Sequence, residues 1–274
     1  MNTKSLIEEI EREAVDRMVS RREAMSKVGS LGAGLALAAI PFGATFLAST
    51  GRAYAQGTTP TLVEVLNFAL TLEYLESEFY NTGIVAVPAS DKVVFEQIRK
   101  HENAHVILLK NTIVAVGGTA VAKPTFDFTA GGAFADWNSN YSTFLALSQS
   151  FEDAGVRAYK GQASNPNLMA NDAVLTAALQ IHSVEARHAA MVRRIRNSRG
   201  DTSTRPWITE ASRGDLPAGV QPVYAGEENK IQGGVDTGSG TGGFTGISSA
   251  AASEAFDEPL TMDQVLAIAT LFIK

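Results

Sequence analysis

His101-Glu102-Asn103-Ala104-His105 and Glu185-Ala186-Arg187-His188 are the two stretches that decide how this chain folds. Each contains Glu-x-x-His, and on an α-helix residues three apart lie on nearly the same face, so each pair can aim a carboxylate and an imidazole at one point. Glu73 stands 29 residues before Glu102, and Glu152 stands 33 residues before Glu185. Each interval accommodates a helix, a short loop and part of an antiparallel partner. The 50 residues between Glu102 and Glu152 leave room for a long connection. The order predicts an all-α chain of four antiparallel helices with a crossover between the second and third, placing Glu73, Glu102, His105, Glu152, Glu185 and His188 around one centre. All four histidines, His101, His105, His182 and His188, lie in or beside the two motifs.

Charge points the same way. Four ionised glutamates inside an apolar bundle repel one another and lose their hydration, and two divalent cations would offset their charge. A single Glu-x-x-His usually marks a solvated helix face. Here the first motif shares its stripe with Phe95, Ile98, Leu109, Ile113 and Val116, and no Lys or Arg occupies that stripe. With 274 residues, 45% of them hydrophobic, the chain can build a sizeable core. It has no cysteine, which excludes disulfides and thiolate metal sites. A net charge of −6 without a basic block excludes nucleic acid as an expected partner.

Residues 1–55 have the composition of a targeting segment. A polar stretch ends in Ser20-Arg21-Arg22-Glu23-Ala24-Met25-Ser26-Lys27, a Gly/Ala/Leu-rich run extends from Val28 to about Ala48, and Ala53-Tyr54-Ala55 precedes Gln56. Paired arginines, a mild apolar region and a small-x-small site look like a twin-arginine export signal. The expected location is periplasmic or secreted, with membrane contact only through this segment. Cleavage is the preferred reading over an uncleaved anchor, because Gly29, Gly32, Gly34, Pro41 and Gly43 dilute the apolar run.

Residues 56–198 read as the bundle. Leu62, Val65, Leu66, Ala69, Glu73, Glu76 and Tyr80 share one face of a first helix that ends at Asn81-Thr82-Gly83. A second helix runs from an Asp91 cap to Gly117-Gly118. The crossover, Thr119 to about Asp136, is interrupted at Lys123-Pro124, and Phe126, Phe128, Phe134 and Trp137 are expected to dock it. A third helix is expected from about Asn138 to Gln162, followed by a Ser-Asn-Pro-Asn loop, and a fourth from Asn171-Asp172 to Arg196. Arg193, Arg194 and Arg196 suit the negative end of that helix. Tyr80 follows Glu73 by seven residues and Tyr159 follows Glu152 by seven, which places each tyrosine on the face of its own glutamate. Both are candidate catalytic donors of a proton or an electron, and Glu76, His101 and His182 are candidate relays next to the ligands. Residues 199–274 form an extension without period, in which Trp207, Ile208, Val223, Tyr224 and Ile231 are expected anchors. It ends in a short helix signalled by Thr261-Met262-Asp263-Gln264, which is apolar enough to need a docking surface on its own bundle or on a second copy in a homodimer.

Leu66-Asn67-Phe68-Ala69-Leu70-Thr71-Leu72-Glu73-Tyr74-Leu75-Glu76, with both Glu-x-x-His motifs, resembles the bacterial ferritin-like family that includes the desiccation-related proteins. The likeness covers about residues 60 to 198, and Val223-Tyr224-Ala225-Gly226-Glu227-Glu228 and Pro259-Leu260-Thr261 share it less specifically. It implies a ferritin-like four-helix bundle holding two transition-metal ions, iron ahead of manganese. By analogy with bacterioferritin and rubrerythrin, Glu73 and Glu152 would be terminal ligands, Glu102 and Glu185 bridges, and His105 and His188 would serve one ion each. The expected partners are metal ions and small oxidants. The implied activity is that of a ferroxidase or a peroxidase/catalase in oxidative or desiccation stress; a non-catalytic protective bundle is the alternative. His101-Glu102-x-x-His105 also fits the zinc-peptidase pattern, with both histidines on zinc and Glu102 as base. That reading leaves Glu73, Glu152, Glu185 and His188 without a role.

Overall fold

A computed structural model of the chain describes residues 59–201, 203–238 and 245–274. The export-signal reading of residues 1–55 lies outside them. Four long helices carry the site: α1 (Leu62–Gly83), α2 (Lys92–Ala115), α3 (Tyr141–Gln162) and, after the single-turn α4 (Pro166–Met169), α5 (Asp172–Ser198). The extension adds a 3₁₀ segment, Ala218–Tyr224, then α6 (Ser249–Ser253) and α7 (Met262–Ala269). Ile231–Gln232 (β1) and Val235–Asp236 (β2) form a short antiparallel pair. No helix among the described residues is long and apolar enough to cross a membrane.

Local chemistry explains the helix ends. Thr61 and Glu64 form a capping box at α1, Asn140 and Asn171 accept from backbone N–H groups at the starts of α3 and α5, and Thr261 with Gln264 caps α7 as its sequence implies. Asp91 is the N-cap residue of α2, as expected, but its side chain makes no capping hydrogen bond. Its carboxylate instead accepts from the Tyr141 hydroxyl (2.6 Å) and the Arg199 guanidinium (2.8 Å). The Ser-Asn-Pro-Asn loop folds into α4, because Asn165 caps it and Pro166 occupies its first turn.

The four helices are of two kinds. On α2 and α5 only one stripe is buried, as in an ordinary amphipathic helix. Nearly every residue of α1 and α3 is buried. Their outer sides are covered by the crossover, through Phe128, Phe134 and Trp137, and by α7, which packs on both. The C-terminal residues also pair with the crossover: Asp127 donates its N–H to the Phe272 carbonyl and Lys274 donates to that of Thr125. The apolar terminal helix thus docks on its own bundle.

The extension is bound by buried arginines. Arg157 of α3 donates to the carbonyls of Glu258 (2.8 Å), Ala225 (2.7 Å) and Val223, and its Nε lies 2.6 Å from Glu227. Arg193 grips Asp153 with both Nε (3.0 Å) and Nη2 (2.6 Å) and reaches the Trp207 carbonyl at 3.1 Å. Arg196 pairs with Asp215 and Gln149. Arg196 stands in the last turn of α5, as the sequence implies, and both Arg193 and Arg196 serve in addition as buried anchors of the extension. Ile208, Val223 and Tyr224 are buried as expected, but Trp207 and Ile231 are exposed, and Leu216 and Val220 fill the corresponding space. Gly161 permits the close approach of this segment, since a Cβ there would lie 1.8 Å from the Leu260 carbonyl oxygen.

Candidate metal centre

Six side chains predicted from spacing meet in the bundle interior. Glu73 of α1, Glu102 and His105 of α2 and Glu185 of α5 form one group, and Glu102, Glu152 of α3, Glu185 and His188 form a second; within each group the ligand atoms lie within 4.8 Å of one another. Glu102 and Glu185 belong to both. The His105 Nδ1 stands 3.3 Å from Glu73, 3.2 Å from Glu102 and 3.1 Å from Glu185. The His188 Nδ1 stands 2.9 Å from Glu102, 3.2 Å from Glu152 and 3.0 Å from Glu185.

One ring nitrogen carries at most one hydrogen, so it cannot satisfy three carboxylates at once. Accordingly Glu73 Oε2, Glu102 Oε1, Glu152 Oε2 and Glu185 Oε1 are buried without a hydrogen-bond partner. Orphaned buried oxygens are costly, and oxygens converging with an imidazole nitrogen are what a cation coordinates. The donor set of carboxylates and imidazoles suits a transition ion of intermediate hardness. The residues present fit a metal centre.

Electrostatics record the same tension. Burial pushes Glu102 well above the usual carboxylate range, and Glu185 beside it pushes it further. Burial and the charges of Glu152 and Glu102 do the same to Glu76. Burial works against the charge on Glu185, but hydrogen bonds from His105 and His188 hold its carboxyl low. Burial alone would depress both imidazoles; the surrounding carboxylates win and hold His105 and His188 well above the usual histidine value. Without metal both rings are therefore protonated at neutral pH. Metal needs the unprotonated Nδ1, so loading must expel those protons. Affinity should rise from about pH 6 to about pH 8, and calorimetry in buffers of different ionisation enthalpy should show at least ~1 proton released per ion. A pH-independent affinity would place the metal elsewhere.

The tyrosines cross over. Tyr80, on the helix of Glu73, donates to Glu152 Oε1 at 2.5 Å, and Tyr159, on the helix of Glu152, donates to Glu73. Seven residues correspond to about 10 Å along a helix axis, too far for a tyrosine to reach its own helix's ligand. The antiparallel pairing of α1 and α3 sets each hydroxyl beside the other's glutamate. Glu76 is a fifth buried carboxylate, and it is accommodated because its counterpart in the second half is Gly155: a Cβ there would stand 3.2 Å from Glu76 Oε1.

His101 turns away from His105. Its Nδ1 lies 2.8 Å from the outer Nε2 of His188, the two rings stack at 5.1 Å, and its own Nε2 lies 2.7 Å from Gln97. Among the described residues, His101 and His105 share no ligand cluster. The zinc-peptidase pairing is thus not formed, and His101 instead orients the second imidazole. His182 belongs to neither ligand group; Lys160, Asp257 and Glu185 supply the charges acting on it. The buried Asp153–Arg193–Tyr224 network beside the site gave no sequence signal, since its members are far apart in the chain.

Residues 61–198 match the ferritin-like domain family, which covers all four long helices and all six clustered residues. The chain belongs to that family. No curated protein matches it.

Proposed function

We propose that this is an exported dinuclear non-haem metalloprotein, with iron ahead of manganese, that protects against oxidative or desiccation stress by oxidising iron or removing peroxide. The observation that carries the reading is the pair of overlapping ligand groups sharing Glu102 and Glu185, with four carboxylate oxygens left orphaned inside them. When bound, two such ions passing from +2 to +3 release two electrons, which with two protons reduce hydrogen peroxide to water or dioxygen to hydrogen peroxide. Glu102 and Glu185, which belong to both groups, would serve both positions, while Glu73 with His105 and Glu152 with His188 would complete one each. Tyr159 and Tyr80 fix the orientation of Glu73 and Glu152 and carry the nearest hydroxyl protons. Burial and the adjacent glutamates keep both phenols well above the usual tyrosine value, so they act as neutral donors. Glu76, whose pKa burial raises, is placed to hold a proton and return it to the centre.

Protein loaded anaerobically with ferrous iron and then given peroxide or dioxygen should develop ferric absorption within seconds. Tyr80→Phe with Tyr159→Phe should change the rate of that oxidation by ~10-fold or more while leaving metal content intact. Loaded protein that reacts with neither oxidant faster than free metal does would leave a structural, stress-protective bundle as the function.

Export rests on Arg21 and Arg22, with cleavage expected after Ala55. Lysine keeps the charge but lacks the planar guanidinium, so Arg21→Lys with Arg22→Lys should strand uncut precursor in the cytoplasm. Fractionation that finds mature protein outside as before would remove this part of the proposal.

A further inference from the structure

The protein has an apolar cavity against one end of the metal centre, and we infer that this cavity is a dioxygen site feeding the position served by His105. The inference rests on the redox reading above and names its oxidant. The four long helices each contribute to the wall: Leu72 from α1, Leu109 from α2, Tyr159 from α3 and Ile181 from α5, with Leu108 and Ala178 on the outward side. Leu72 precedes Glu73, Leu109 lies one turn beyond His105, and Ile181 lies one turn before Glu185. The inner end of the cavity thus abuts the Glu73, His105 and Glu185 side of the centre, where Tyr159 is bonded to Glu73. The outer end lies at Leu108, which is 40% exposed.

The opposite end of the centre is closed. Tyr80, which serves Glu152, packs against Phe95 and Phe144 with ring centroids 6.2 and 6.0 Å away, and those two rings meet edge to face at 5.1 Å. All three are completely buried. A second apolar pocket lies beside Glu76 and Gly155, but Val265, Ile268 and Ala269 of α7 line it on its outer side, whereas the first opens at Leu108.

Size and wall chemistry select the occupant. The cavity offers about 30 Å³ to the centres of water-sized bodies, and one such body needs ~10–15 Å³. That is room for a diatomic molecule and too little for an alkyl chain. Water needs two to four polar partners to stay in a buried site, and hydrogen peroxide, with two hydroxyls, needs them equally. The only polar side chains on the wall are Thr112, Gln162 and Tyr159, and the Tyr159 hydroxyl is already committed to Glu73. Dioxygen makes no hydrogen-bond demand and gains by leaving water for an apolar space.

Xenon is a suitable probe because it is apolar and of similar size. Crystals of the full chain under xenon pressure should show an atom between Leu72, Leu109 and Ile181; an empty cavity overturns the inference, whatever the protein's reactivity. Ala178→Phe, which places a ring on the outward side, should remove the xenon and slow oxidation of loaded iron by dioxygen at least tenfold, with metal content and oxidation by peroxide unchanged. Unchanged oxidation by dioxygen in that folded variant, or equal loss with both oxidants, overturns it as well. Wild-type protein that binds xenon but reacts with neither oxidant overturns the redox reading instead and leaves an apolar gas site.

Discussion

Glu102→Gln is expected to reduce metal content from about two ions per chain to one or none, with affinity falling by at least ~100-fold, since Glu102 belongs to both ligand groups. The same substitution should make the metal-free protein more stable. Burial and the neighbouring Glu185 already oppose ionisation of Glu102, so a side chain that never ionises removes that cost. Gln has the same shape and leaves no cavity. A gain on the order of 1–2 kcal/mol follows, which for a chain of this size is a rise in melting temperature of about 2–6 °C. His188→Ala should lose metal too but move the metal-free protein the other way, because it removes one of the two cations that relieve the cluster. Melting curves with and without chelator, together with metal analysis, test both. Full metal content in both variants would show that the site is elsewhere.

Arg157→Leu is expected to cost about 3–5 kcal/mol, the usual consequence of removing one partner from a buried ion pair. Arg157 is almost entirely buried, and its loss leaves the carbonyls of Val223, Ala225 and Glu258 without its guanidinium and Glu227 with the Glu258 N–H but no cation beside it. Limited proteolysis should cut the variant between about residues 217 and 260 long before it cuts α3. The four-helix core and its metal content should survive at low temperature, because all six clustered residues lie on the four long helices. A melting temperature within a degree of the parent would mean that α7 and the crossover alone retain the extension.

How much of this was legible follows from where the information sits. The helical stripe through Phe95, Ile98, Glu102, His105, Leu109 and Ile113 repeats within one element, so the buried face of α2 can be read from the chain alone. The convergence of Glu73, Glu102, His105, Glu152, Glu185 and His188 was legible because mirrored spacing carried it. Spacing puts each tyrosine on the face of its own glutamate, but which glutamate it bonds depends on how α1 and α3 slide past each other. Asp91 stands at the N-cap as it reads, but its carboxylate serves as an acceptor for Tyr141 and Arg199, residues 50 and 108 positions away. The extension was least legible. Arg157 recognises three backbone carbonyls, and a carbonyl has no residue signature. Trp207 was expected to be an anchor because of its size, yet it contributes its carbonyl to Arg193 while its ring stays exposed.

The docking of α7 and the C-terminal residues sets an order of events during synthesis. The groove between α1 and α3 is complete once Gln162 has left the ribosome, with the crossover already made, but the part of its cover supplied by Met262–Phe272 arrives later. At typical elongation rates that interval is roughly 5–20 s, far longer than helices need to form. Throughout it the apolar face that α7 later covers stands open, which makes it the natural place for a holding chaperone. A quality-control step that waits for this surface to disappear would also ensure that only finished chains move on.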